Sequence, residues 1–250
     1  VQTFRVPGVA GEDIQRIQNK VGKLKRKVRV AVLDTGIDKN HPNLKGVLYR
    51  NEPECKQLAA FEACLAEEGK TREDCETQFM TSANPNLDPD HNGYPLDCSG
   101  WSILGNAGNP TGVLGRPDFN DDQGHGTHVA GIIAAQMDPQ FLGVSGVSSN
   151  VEIIPIQVIG KNPSEPVKPL STDINLDALS PVETKQKWPK KSLGDLVARG
   201  LLYAFKSKAD VVNLSLGWPA ARDSELIRGL IAEMHNRGII VVAAAGNDST

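Results

Sequence analysis

Four short apolar runs constrain the fold of this chain more than any other feature. They occupy residues 28–33 (Val-Arg-Val-Ala-Val-Leu), 151–159 (Val-Glu-Ile-Ile-Pro-Ile-Gln-Val-Ile), the strand within 210–217, and 239–245 (Ile-Ile-Val-Val-Ala-Ala-Ala). Rich in β-branched residues and apolar at successive positions, they read as strands buried on both faces. Such strands need cover above and below, and the segments between them supply it. From Thr127 a buried helix runs through Ile132, Ile133, Ala134 and Ala135. Residues 193–208 form an amphipathic helix with Leu196, Val197, Leu201, Ala204 and Phe205 on one side. Residues 224–237 form another, ended by Gly238. Strands alternating with helices predict an α/β fold, a mostly parallel sheet with helices on both faces. Pro155 puts the second strand at an edge or a bulge.

Two stretches break this rhythm and read as irregular insertions. Residues 50–121 begin with a polar, helical part in two short pieces around Gly69 and become loop-like over 81–120, where Pro, Gly, Asn and Asp abound. All four cysteines, Cys55, Cys64, Cys75 and Cys98, lie here. An even number confined to one segment predicts two local disulfides, with three pairings open. The spacings lack the close Cys pairs of a zinc site. Disulfides imply an exported protein; reduced thiols in a cytosolic insertion are the alternative. Residues 161–191, with five prolines and many lysines, form the second insertion. Near the start, Ile14, Ile17 and Val21 mark a surface helix over 11–23, and the basic residues 20–29 read as a solvated face leading into a strand. A formal charge of −3 gives no case for nucleic acid or an anionic membrane as partner. No apolar run approaches the roughly 20 residues of a membrane span, and no signal peptide opens the chain.

The chemistry-bearing residues fall where a parallel sheet would gather them. Asp34 ends the first strand ahead of a Thr35-Gly36 turn, and open parallel sheets bind ligands beyond the carboxyl ends of their strands. His125, between Gly124 and Gly126, opens a helix at the edge of a cleft, a placement suited to a general base. Ser215-Leu216-Gly217 and Asn247 each follow a strand. Singly, each has a structural explanation: a turn-capping Asp, a structural His, a strand-end Ser. Converging on one rim, a carboxylate, an imidazole, an extended segment and an amide donor make up most of an acyl-transfer site.

Asp34-Thr35-Gly36-Ile37-Asp38 with His41-Pro42, His125-Gly126-Thr127-His128-Val129-Ala130-Gly131, Asn213-Leu214-Ser215-Leu216-Gly217 and Ala245-Gly246-Asn247 resemble four successive signatures of the subtilisin-like serine proteases, in that family's chain order. The resemblance covers most of the chain outside the two insertions. It implies one subtilisin-like catalytic domain over residues 1–250, its N-terminal portion, with the sheet incomplete in this chain. By the same resemblance, Asp34 would accept the Nδ1 hydrogen of His125, His125 would shuttle the proton of the nucleophile, and Asn247 would donate to the oxyanion. Ser215, Leu216 and Gly217 would pair with an extended substrate and line its specificity pocket. The glycosylation patterns at Asn213 and Asn247 are discounted, because the motifs place both in the core or the site. No cofactor is required for such chemistry. Structural calcium is common in the family but not assignable here. Asn43 stands where an Asp after His-Pro often binds it, and Asp118, Asp121 and Asp122 read as a calcium site or, preferably, a solvated acidic loop. No metal ligand is named.

One signature is absent: no stretch resembles the family's Gly-Thr-Ser-Met-Ala nucleophile motif. The expectation is a secreted or otherwise extracytoplasmic serine endopeptidase, active on polypeptide substrates. Its nucleophile would come from a missing C-terminal part, or from a companion chain produced by autoprocessing of one precursor. A propeptide or protein inhibitor is a further expected partner. The alternative is an inactive pseudoprotease serving as a binding or regulatory module; a binding module need not keep Asp34, His125 and Asn247 together.

Overall fold

The computed structural model describes residues 26–79, 88–104, 115–136, 145–160, 193–217 and 225–246, together with Arg16. The surface helix expected over 11–23 (Arg16 apart), the insertion over 161–191 and Asn247 lie outside the described residues.

Five strands form one sheet: β1 (Val28–Asp34), β2 (Trp101–Ser102), β3 (Val151–Gln157), β4 (Val211–Leu214) and β5 (Ile240–Ala243). Their order is β2-β3-β1-β4-β5, and every neighbouring pair is parallel. Helices α1 (Glu52–Leu65), α2 (Arg72–Phe79), α3 (His125–Ala134), α4 (Leu193–Lys206) and α5 (Glu225–Asn236) lie between them in sequence. The α/β architecture with a parallel sheet is as the apolar runs predict. Propensity differences among residues amount to a few tenths of a kcal/mol, whereas burying one Val, Leu or Ile contributes about 1.5–3 kcal/mol, so burial decides the matter.

The two faces of the sheet can be read off alternate residues. Ala31 and Leu33 of β1, Ile154 and Ile156 of β3, and Val212 and Leu214 of β4 pack with α4 and α5. Val30 and Val32, with Ile153, pack with Ala130 and Ala134 of α3 and with Ile37, Leu44 and Val47. Period-two alternation puts Asp34 in step with Val30 and Val32, on the α3 side. β3 lies on one side of β1 and β4 on the other, so the strand order reverses at β1. The crevice at such a reversal is where open α/β sheets place their ligands, and Asp34 is the last residue of β1.

Three expectations need correction. β3 is not an edge strand, since β2 and β1 flank it. Pro155 is tolerated because it falls in a gap: on the outer side β3 bridges Leu48 at Ile153 and then meets β2 only at Ile156 and Gln157. α4 is not amphipathic in its burial: every residue from Leu196 to Ala204 is buried, Arg199 and Tyr203 included. Residues of the first insertion contribute to this burial. The Tyr203 ring lies 4.7 Å from Tyr94 and 6.2 Å from Trp101, and its hydroxyl donates to Asp97 at 3.0 Å. Lastly, Asp118 and Asp122 are exposed as a solvated loop requires, but Asp121 is half-buried and caps a helix, as described below.

Within that insertion, α1 and α2 are the two short helices expected around Gly69, which has φ +84°. The cysteines form the two local disulfides, Cys55–Cys98 and Cys64–Cys75. At the far side of the sheet, β5 exposes Ile240 and Val242, which are 60% and 50% accessible. Among the described residues no helix is long and apolar enough to cross a membrane.

Candidate active site

Asp34 and His125, ninety-one residues apart, meet at the carboxyl end of β1: Nδ1 of His125 lies 2.7 Å from Oδ1 of Asp34. The Asp34 side chain is buried, while that of His125 is 55% exposed. The same Oδ1 accepts the Thr35 backbone N–H at 2.7 Å. Oδ2 is buried with no hydrogen-bond partner among the described residues. Asp34 thus fixes the ring from beneath and leaves Nε2 turned to the accessible side.

Backbone contact makes this meeting possible. A Cβ on Gly126 would stand 2.1 Å from the carbonyl oxygen of Gly36 and 3.0 Å from Cβ of Asp34, so only glycine lets α3 approach so closely. Gly36, at φ +103°, faces the Phe119 carbonyl in the same way, and Ile37 N–H donates to that carbonyl at 3.0 Å. The Gly126 N–H donates to Thr35 Oγ1 at 2.9 Å, and Thr35 Oγ1 donates to Asp121 Oδ1 at 2.9 Å.

Two residues not anticipated in these roles position the site. Gly124 at the N-cap of α3 has no side chain to satisfy the exposed helix N–H groups, and Asp121 does so instead. Its Oδ1 accepts from Gln123 and Gly124 N–H at 3.0 and 2.8 Å; its Oδ2 accepts from Thr127 N–H and Oγ1 at 3.0 and 2.7 Å. Partial burial pushes the Asp121 carboxyl up, but these hydrogen bonds outweigh it and hold it below its ordinary value. An acidic residue just ahead of a helix start was the available signal. The second is Gln157, in register with Asp34 at the end of β3. Its Nε2 donates to the carbonyls of Thr35 and Asn120 at 2.9 and 3.0 Å, and its Oε1 accepts from Ser102 Oγ at 2.6 Å. A polar residue closing an apolar strand was its signal.

An Asp121→Ala variant should lose about 1–2 kcal/mol of folding stability at pH 7, the usual cost of a lost helix cap. Because the folded carboxyl is lowered, its contribution is present above the ordinary value of 3.8 and is lost as pH falls through the folded value. Urea unfolding of both proteins from pH 7 to pH 3 checks this. A gap that does not narrow at the acid end would mean that the carboxylate charge is not what caps α3.

The remaining candidates lie toward β5. Ser215, Leu216 and Gly217 follow β4, with Ser215 and Leu216 half-buried and Gly217 exposed. Leu216 packs against the α4–α5 core, and Asn213 Nδ2 donates to Ser215 Oγ at 2.9 Å. The β4–β5 pairing continues one step beyond the strands, through Ala244 N–H to Leu214 C=O at 3.0 Å. Asn43, weighed as a weakened calcium position, is buried and donates through Nδ2 to the Gln136 carbonyl at 2.8 Å.

Comparison with known proteins bears on the family of the chain. The sequence profile of the Subtilase family matches residues 25–250. Subtilisin Savinase of Lederbergia lenta is 33% identical over 135 residues, which cover 54% of this chain and 39% of the relative. Minor extracellular protease Epr of Bacillus subtilis (strain 168) is 28% identical over 144 residues, covering 57% of this chain and 17% of the relative. Among solved structures, fervidolysin from Fervidobacterium pennivorans, a keratinolytic enzyme related to subtilisin, matches 97% of this chain and 24% of its own at 20% identity, with a TM-score of 0.47. The matched part of this chain therefore spans well under half the length of these relatives.

Proposed function

The chain belongs to the subtilase family, and from that premise we propose that it forms the acid–base half of a serine endopeptidase that cleaves polypeptides through an acyl-enzyme. The observation that carries this reading is the 2.7 Å contact between Asp34 and His125 at the strand reversal. With Nδ1 held by Asp34, Nε2 takes the proton of an attacking serine hydroxyl and later delivers it to the leaving amine. The buried Asp34 carboxylate stabilises the imidazolium formed in between. Asn247, just beyond β5, donates its amide to the oxyanion. Ser215, Leu216 and Gly217 receive the substrate as an added strand.

The nucleophile belongs to polypeptide outside residues 1–250, either a continuation of this chain or a companion released from the same precursor by autoprocessing. No Gly-Thr-Ser sequence occurs within the 250 residues. The apolar edge of β5, and a cavity of about 410 Å³ lined by Arg228, Ile231, Ala232, His235 and Val241, fit a surface that such polypeptide covers. We place the whole as one catalytic domain working outside the cytoplasm; its disulfides and the extracellular relative support this.

A serine-directed phosphonate probe applied to the whole protein tests the reading. Labelling of a Gly-Thr-Ser polypeptide that depends on His125 is the expected result. Folded protein that takes up no label would instead mark a pseudoprotease.

A further inference from the structure

Ser102, Gln157 and Asp34 stand abreast at the ends of β2, β3 and β1, each in register with the next. Residues in register on neighbouring strands share one face of the sheet. A buried hydroxyl, a buried amide and the buried acid therefore form one polar row. Ser102 belongs to the first insertion and follows shortly after the Cys55–Cys98 bridge.

The row takes over where the strand pairing ends. The β1–β3 register stops at Asp34 and Gln157, where the Asp34 carbonyl accepts from both Val158 and Ile159 N–H at 2.9 and 3.2 Å. The next carbonyl, that of Thr35, is bonded by a side chain in place of a strand. Gln157 Nε2 donates to it at 2.9 Å and to the Asn120 carbonyl at 3.0 Å, so both amide hydrogens are used. Ser102 Oγ donates to Gln157 Oε1 at 2.6 Å. The partners fix the orientation of the amide: carbonyls only accept, so Nε2 faces them and Oε1 takes the hydroxyl hydrogen. The two carbonyls lie on the two arms of the site. Thr35 follows Asp34, and Asn120 precedes Asp121, the cap of the helix that His125 opens. Ser102 is also tied to the second arm, by reciprocal backbone bonds with Arg116 at 2.8 and 2.9 Å.

Resting on the protease reading above, we propose that Ser102 and Gln157 are a positioning pair for that reaction: the hydroxyl orients the amide, and the amide sets the spacing of the arms that carry Asp34 and His125. Neither side chain touches the reacting atoms. Through Ser102 the disulfide-bonded insertion contributes to the rate of hydrolysis as well as to stability. The contribution is one of geometry, since the row adds no charge beside Asp34 and acts only on where the acid and the base stand.

The test uses the whole active protease with Gln157→Met, Ser102→Ala and the two combined. Methionine keeps the length of the side chain but donates nothing, so both carbonyls lose their partner. Gln157→Met should lower kcat roughly ten- to a hundredfold, the scale of a small misplacement of reacting groups, with KM held within about twofold. Ser102→Ala should act in the same direction and less strongly. The double variant should be no slower than Gln157→Met, because the hydroxyl works only through the amide. Proton NMR supplies a readout that needs no turnover: the low-field His125 Nδ1 resonance, identified by its absence in His125→Ala, should broaden by exchange with water in Gln157→Met. Circular dichroism matching the wild type shows that the variant is folded; if it is not, Ser102→Ala carries both measurements. An unchanged kcat with an unchanged His125 resonance overturns the proposal, and so do losses that add in the double variant. A wild type that neither hydrolyses peptide nor takes up the phosphonate overturns the protease reading instead, and the His125 resonance then decides whether the pair positions the ring.

Discussion

An Asp34→Asn variant of the active protease should hydrolyse a peptide substrate on the order of 10⁴-fold more slowly than the parent. The amide removes the negative charge that faces the imidazolium, and it can turn an N–H toward Nδ1 and so oppose the tautomer that leaves Nε2 free. The buried site has Thr35 N–H and His125 both directed at Oδ1, so the loss falls on kcat more than on KM. Steady-state kinetics with a chromogenic peptide, beside circular dichroism of both proteins, makes the comparison. If the variant does not fold, His125→Ala replaces it: that side chain is half exposed, and its loss should cost on the order of 10⁶-fold. A folded variant within tenfold of the parent would remove Asp34 from the mechanism.

Replacing Cys55 and Cys98 together by alanine should lower the unfolding free energy by about 4 kcal/mol, the chain-entropy value for a closed loop of this length. The sequence separation is 43 residues for this bridge and 11 for Cys64–Cys75. The shorter loop implies about 3 kcal/mol on the same basis. Cys55–Cys98 has the further consequence of tying α1 to the chain just ahead of β2, where Trp101 packs with Tyr94 and Tyr203. Its loss should therefore reduce cooperativity of the whole domain, whereas loss of Cys64–Cys75 should loosen α1 against α2. Guanidinium unfolding of the two double variants separates these outcomes. A larger cost for the shorter bridge would show that the insertion is held to the core by packing alone.

Four of the five strands were legible in the sequence because they are apolar at most successive positions, whereas β2, only Trp101–Ser102, falls in the stretch read as loop-like. Asp34 and His125 stood out because each sits at a break in an apolar pattern beside a glycine. What escaped was set by contacts distant in sequence. The burial of α4 on all sides depends on Tyr94, Trp101 and Asp97, more than a hundred residues from Tyr203, and no periodicity within α4 reports them. Pro155 reads as an edge or bulge signal because propensity cannot show that the neighbouring strand is interrupted opposite it. Asp121 looked solvated because its partners, Gly124 and Thr127, are backbone and hydroxyl donors whose directions only the fold defines. Gln157 was passed over as an ordinary strand residue. Its value lies in the register that sets it beside Asp34.

The alternation along β1 also limits how this chain can change length. Inserting or deleting one residue between Val30 and Asp34 would send the carboxylate into the aliphatic layer under α4 and leave His125 facing a methyl group, although composition and hydropathy would hardly alter. Only paired changes keep the acid on its own side of the sheet. An indel scan through this strand should therefore show odd steps abolishing hydrolysis and even steps sparing part of it.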